Sequence, residues 1–212
     1  MDFLIDFVLH LDKHLGPVME SLGLWSYLLF FAIIFCETGL VVTPFLPGDS
    51  LVFALGTLAA AGSLNILVLY AVLCAAAILG DSANYAIGKY FGSIILKKEG
   101  AWFLKKEHIA KTHRFYEKYG SKTIVLARFV PIVRTFAPFV AGVGNMSYSH
   151  FLTYNIMGGV LWISLFAFGG YFFGNIPMIK ENFGLVIIAI IIISILPAVI
   201  EVWKERRRQP SC

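Results

Sequence analysis

Apolar residues run along this chain in long blocks, and the informative positions are those where polar residues and prolines interrupt them. A first block opens near Leu22 and reaches Cys36; Glu37, Gly39, Pro44, Pro47, Gly48 and Asp49 then break it, and apolar residues resume at 51–61. Two half-length pieces meeting at a Pro-Gly break are too short and too polar for one clean span. In lipid such a break is tolerated only where protein or a water-filled cavity covers the freed backbone groups, so residues 37–62 are expected to form a re-entrant hairpin. The block at about 65–91 has helical character and carries Gly80, Asp81, Asn84 and Gly88 in its second half. Residues 123–146, TIVLARFVPIVRTFAPFVAGVGNM, are again apolar but hold Arg128, Arg134, Pro131 and Pro138, which predicts a second hairpin. Two further apolar blocks follow, at 151–173 and 183–202.

Composition places these blocks in a bilayer. Apolar residues are 58% of the 212 and charged residues 14%, well under the roughly 25% of a soluble domain. The length suits one polytopic all-α domain, 1–212, and leaves no room for an added soluble catalytic domain. Residues 1–20 carry Asp2, Asp6 and Asp12 where a secretory signal would be basic. Phe3, Leu4, Phe7, Val8, Leu11 and Leu15 recur at helical spacing, which suits an amphipathic helix at the interface or a simple lead-in to the first span.

The distribution of positive charge gives an orientation. Eight of the 17 basic residues fall in the segment 97–122 and four more in the tail 204–212, so twelve of 17 mark two loops that the positive-inside rule assigns to the cytoplasm. The basic segment interleaves Trp102, Phe103, Phe115, Tyr116 and Tyr119, a pattern suited to an amphipathic helix on an anionic leaflet rather than to nucleic acid. Counting crossings from there, both termini are cytoplasmic, the 37–62 hairpin enters from outside and the 123–146 hairpin from inside. The expected fold is therefore about four full spans with two opposed re-entrant hairpins, as in inverted-repeat transporters with a midplane site. Four or five ordinary kinked spans remain the simpler alternative.

Chemistry concentrates at the interruptions. An arginine at the bilayer centre costs about 2.5–3.5 kcal/mol on insertion scales, so two in one apolar stretch mark a site. On an unbroken helix Arg128 and Arg134 would point about 240° apart, but a bend at Pro131 would place them on two limbs facing one volume. Convergent guanidiniums match a phosphate or a pair of carboxylates, and pairing with intramembrane acids would equally serve to hold the hairpins together. The acids within reach of the apolar region are Glu37, Asp49 and Asp81. They can act as counter-charges or relay a proton. Asp49 also stands where a helix N-cap belongs, and Asp81 with Asn84, Gly80 and Gly88 could be a packed small-residue face with one polar crosslink. Lys89 and Tyr90 suit interfacial anchoring.

Other chemistries find little support. Cys36 and Cys74 lie in apolar runs and Cys212 in the tail, with no CxxC spacing, and His10, His14, His108, His113 and His150 form no metal-binding pattern. No GxSxG or P-loop occurs, so neither a catalytic residue, a metal nor a cofactor is expected.

Three stretches together, ETGLVVTPFLPGDSLVFALG at 37–56, GDSANYAIGKYFG at 80–92 and ARFVPIVRTFAPFVAGVGNM at 127–146, resemble the DedA family of small integral membrane proteins, also called the VTT or SNARE-associated domain family. The resemblance covers nearly the whole chain. It implies two opposed re-entrant hairpins, a bacterial cytoplasmic-membrane location and a function in moving lipids. Bacterial members are associated with returning undecaprenyl phosphate to the inner leaflet or moving phosphatidylethanolamine, some with dependence on the proton motive force; eukaryotic relatives are scramblases. The family's functional acids fall on Glu37 and Asp49, the latter Asp where many members have Glu, and its functional arginines on Arg128 and Arg134. The expected partners are a lipid substrate, the membrane and protons, with a homo-oligomer compatible and nucleic acid not. A flippase or scramblase for phospholipids, a proton-coupled small-ion antiporter and an intramembrane lipid phosphatase are the alternatives; the last needs a nucleophile, typically His, that the apolar stretches lack.

Overall fold

The computed structural model describes residues 22–40, 48–97, 112, 113, 116, 117, 119–173 and 176. Among them the regular structure is entirely helical. Helix α1 spans Trp25–Gly39, α2 Gly48–Ala60 and α3 Ile66–Lys97. After a short 3-10 turn at Gly120–Lys122 come α4, Thr123–Ala127, α5, Pro131–Val143, and α6, Tyr148–Ile163. A π-helical turn at Ser164–Phe168 joins α6 to α7, Gly169–Phe173. Expected features at 1–20, at 98–111, at 183–202 and in the tail 204–212, with Pro44 and Pro47, lie outside the described residues.

Two long helices form the frame. The Asn65 side chain starts α3 by accepting the backbone N–H groups of Leu67 and Val68 at 3.0 and 3.2 Å, an N-cap. The apolar stretches Ile66–Gly92 and Tyr148–Phe173 each have the length to cross a hydrocarbon core of about 30 Å. They run antiparallel: the Tyr70 hydroxyl meets Ser164 Oγ at 2.9 Å, Asn155 Nδ2 donates to the Ile78 carbonyl at 2.9 Å, and the Tyr85 ring stacks on Phe151 at 4.6 Å.

The four shorter helices are laid along this frame as two pairs that arrive from opposite ends. Helix α1 runs beside the first half of α3, with the Tyr27 hydroxyl accepting the Asn65 N–H at 2.8 Å and Gly39 beside Gly80. Helix α2 returns along α7, where Gly170 lies so close to the Phe53 carbonyl that no Cβ would fit. From the other end, α4 lies against α6 and α5 against the second half of α3, where Gly88 is pressed onto the Phe139 backbone. The C-terminus of α1 and the first turns of α5 meet at Asn84, whose Nδ2 donates to the carbonyls of Thr38 at 3.3 Å and Thr135 at 3.0 Å. Asn84 thus crosslinks a close-packed stretch in which Gly80 lies against α1 and Gly88 against α5.

The distribution of polarity suits lipid. Leu24, Leu67, Leu79, Leu161, Leu165, Phe172 and Phe173 are exposed, while Asp81, Asn84, Arg128 and Asn155 are buried. Where water is absent outside, apolar burial does not drive helix association, and close van der Waals packing and polar contacts do. A main cluster of Phe30, Ile34, Val52, Leu55, Leu69, Leu73 and Trp162 packs one half, and Tyr85, Ile124, Ala141 and Phe151 pack the other.

Three local expectations need correction. Helix α3 reaches Lys97, past the expected end near residue 91. Asp49 lies inside the first turn of α2 rather than ahead of it as a cap. Pro138, expected to help form the second hairpin, lies inside α5; the bend is made at Val130, which is extended (φ −124°, ψ 101°) because a residue preceding proline is driven out of the helical region, and Pro131 then opens α5.

The contact at Gly88 yields a first prediction. Gly88→Ala should destabilise the protein by about 1–3 kcal/mol through forced separation of α3 and α5. Gly169→Ala, whose added methyl would meet Phe53 at an ordinary 3.9 Å, should be near neutral. Thermal melts of the detergent-purified variants measure both.

Candidate functional site

Five charged residues that interrupt the described apolar blocks arrive at one place, the level at which the two helix pairs meet. Glu37 comes from the last turn of α1, Asp49 from the first turn of α2, Asp81 from the middle of α3, Arg128 from the end of α4 and Arg134 from the first turn of α5. Helix α6 adds Asn155 and Trp162. The break at Val130 resets the chain direction between the two arginines, and both guanidiniums come to face the Trp162 indole, with Cζ at 4.1 Å from the ring centre for Arg134 and 5.9 Å for Arg128. Convergence across Pro131 is thus what the geometry contains.

The two arginines have separate partners. Arg134 Nη1 lies 3.1 Å from Asp49 Oδ1 and its Nη2 3.2 Å from Glu37 Oε1. Trp162 Nε1 donates to the same Asp49 oxygen at 2.8 Å. Arg128 Nη2 donates to Asp81 Oδ2 and, at 2.7 Å, to Asn155 Oδ1. Asp81 is therefore an ion-pair partner, beyond the packing role that Asn84 fills. Glu37 is held close to the N-terminus of α2, where its carboxylate occupies the space a Gly48 side chain would need. The amide groups at a helix start favour negative charge there.

The halves differ in access. The side chains of Arg128 and Asp81 are 2% and 7% exposed, against 14% and 18% for Arg134 and Asp49, so the second pair is the more accessible. The cluster also keeps unspent hydrogen-bonding capacity. Arg128 Nε and Nη1 and Glu37 Oε2 are buried with no hydrogen-bond partner among the described residues. Buried polar atoms are normally satisfied by protein or by ordered water. Three carboxylates face two guanidiniums, leaving one formal negative charge when all are ionised; a proton or monovalent cation would balance it. Among the described residues no three His, Cys, Asp or Glu side chains gather as metal ligands would.

Asn155 and Trp162 are the site residues that the sequence pattern does not single out. They stand about two helical turns apart on one face of an otherwise apolar block, and the lone amide at Asn155 is the one available signal. Of the remaining expected residues, Gly48 begins α2, Pro131 begins α5, and His113 sits with Glu117 at 3.3 Å in an exposed i,i+4 pair away from the cluster.

An apolar exterior, helices long enough to cross lipid, and charges folded inward where shorter helices meet define a polytopic α-helical membrane protein with an internal polar site. The VTT domain family matches residues 46–172, and over 207 residues the chain is 54% identical to Protein DedA of Escherichia coli K12, covering 97% of this chain and 94% of that protein. The chain belongs to the DedA family of VTT-domain membrane proteins. It is also 46% identical over 184 residues to the uncharacterized membrane protein Rv0364 of Mycobacterium tuberculosis, covering 84% of this chain and 81% of that one. The inner membrane protein YqjA of E. coli K12 is 27% identical over 187 residues, 85% of each chain. No solved structure matches the chain.

Removing one member of a buried ion pair strands the other, at a cost of about 3–5 kcal/mol. Asp81→Ala should therefore lower the melting temperature sharply, and adding Arg128→Leu should recover much of the loss. An Asp81→Ala protein that melts like wild type would contradict the pairing.

Proposed function

We propose that this protein carries a lipid with an anionic phosphate headgroup across the bilayer, and that it works as a transporter rather than an enzyme. The observation that carries the reading is the pair of guanidiniums, Arg128 buried and Arg134 partly exposed, held either side of one helix break and facing one indole, with carboxylates as their present partners. A phosphate is likewise an anion that guanidinium forks hydrogen-bond well, and it can replace those carboxylates in turn. In this reading Arg134, the more accessible, receives the headgroup first, Arg128 holds it deeper, and Glu37 and Asp49 release Arg134 and carry the compensating charge. A displaced buried carboxylate must be neutralised or rehydrated, so uptake of a proton by one of them lowers the cost of headgroup entry and links transport to the proton gradient.

Undecaprenyl phosphate is the favoured cargo, supported by the family association and the phosphate-matched arginine pair. The two helix pairs are then re-entrant hairpins from opposite faces of a bacterial cytoplasmic membrane. The positive charge of the 97–122 segment and the tail supports cytoplasmic termini. A second reading, a small-cation antiporter, draws support from the surplus carboxylate in the cluster.

The test is transport of labelled undecaprenyl phosphate in proteoliposomes under an imposed proton gradient. Wild type should move it, and Arg128→Ala or Arg134→Ala should slow transport about 10- to 100-fold, the worth of one charge-assisted contact. No transport by wild type, or equal transport by the alanine variants, would sink the reading. Movement of labelled phosphatidylethanolamine instead would shift the cargo, sodium or potassium flux would favour the antiporter, and release of inorganic phosphate would indicate hydrolysis.

A further inference from the structure

We infer that Trp162 is a positioning residue of this site, whose indole fixes Asp49 and Arg134 as a closed pair and then offers its N–H to the headgroup that opens it. The second half of the inference rests on the transport reading above; the first half stands on geometry alone. Trp162 is wholly buried, and its two faces of chemistry are both engaged. The π surface lies 4.1 Å from the Arg134 guanidinium carbon, close enough for a strong cation–π contact in a site shielded from water. The indole N–H, 2.8 Å from Asp49 Oδ1, donates to the same carboxylate oxygen that Arg134 Nη1 approaches at 3.1 Å. One rigid plane thus holds a cation by its face and the cation's anion by its edge, a combination that phenylalanine, with a face and no donor, lacks.

The consequence concerns what happens when Asp49 leaves. Arg134 is held by Glu37, Asp49 and the indole together, so a phosphate taking the place of Asp49 still finds the guanidinium fixed against the ring. The indole N–H, freed by the departing carboxylate, points at the same volume and can donate to a phosphate oxygen. Trp162 would therefore keep Arg134 aimed in both states and change only the acceptor of its own proton. Its position supports such a role: it is followed directly by Ile163 and the π turn of Ser164–Phe168, and it packs edge-on against Phe166 at 6.2 Å, within that turn. Single π turns in α-helices recur at functional sites.

Two measurements on the full-length protein test this. The first needs no transport: a double-mutant cycle of melting temperatures for Trp162→Phe, Asp49→Ala and the double variant, purified in detergent. Trp162→Phe should lower the melting temperature by about 3–6 °C, and the double variant should melt close to the lower of the two single ones, because both remove one shared bond. Additive losses would overturn the pairing. The second follows labelled undecaprenyl phosphate in proteoliposomes. Trp162→Phe should raise the half-saturating lipid concentration about tenfold while leaving the maximal rate within about twofold, a split that a residue serving only the fold would not produce. An unchanged half-saturating concentration, in a wild type that transports, would overturn the donor role and leave the transport reading intact. A wild type that moves no labelled lipid would remove the transport reading and with it the donor role, and the cycle would still decide whether the indole holds Asp49 and Arg134 together.

Discussion

Charge that cannot reach water is the constraint around which this protein is built. A guanidinium at membrane depth is tolerated when a carboxylate meets it, and stranding either partner is costlier than the pair itself is favourable. Here those pairs draw on five of the helices: α1 and α2 are tied to α5 through Glu37, Asp49 and Arg134, and α3 to α4 through Asp81 and Arg128. Helix α6 joins both sets, through Asn155 to Arg128 and through Trp162 to Asp49. In lipid a leucine gains little by exchanging an acyl chain for another leucine. Apolar packing therefore supplies density, as where Gly170 seats Phe53, and the charges determine which helices become neighbours.

The same constraint explains what could be read along the chain. Glu37, Asp49, Arg128 and Arg134 stand out because a charge in an apolar block needs a reason, and Pro131 announces a change of direction by stereochemistry that holds in any environment. Helix ends were less legible. Glu37, Gly48 and Asp49 look like a polar interruption, yet Glu37 lies within α1 and the other two within α2, since Arg134, distant in sequence, supplies what solvent would otherwise supply. Asp81 reads both as a counter-charge and as part of a packing face, and its distant partner Arg128 is visible only in the folded chain. Trp162 gave no signal at all: an indole is at home in any membrane segment, and only the folded chain shows its N–H on a carboxylate.

The break at Val130 puts the two arginines on either side of one bend, and their surroundings make them different. Arg128 is closed in by Asp81, Asn155 and the α6 backbone, where Gly158 leaves just enough room for its Cδ and Nε at 3.1 Å from a notional Cβ. Its environment suits a charge that stays put. Arg134 opens α5 instead, partly exposed, with two carboxylates and a ring around it. Its own carbonyl cannot receive the helical N–H that Pro138 lacks, so one backbone acceptor of the first turn of α5 has no helical donor. In the transport proposed above, a fixed positive charge would set the position of the headgroup and an exchangeable one its occupancy. The single α4–α5 pair provides both positive charges, and the unequal partners supplied by α3, α6 and the α1–α2 pair give each different surroundings.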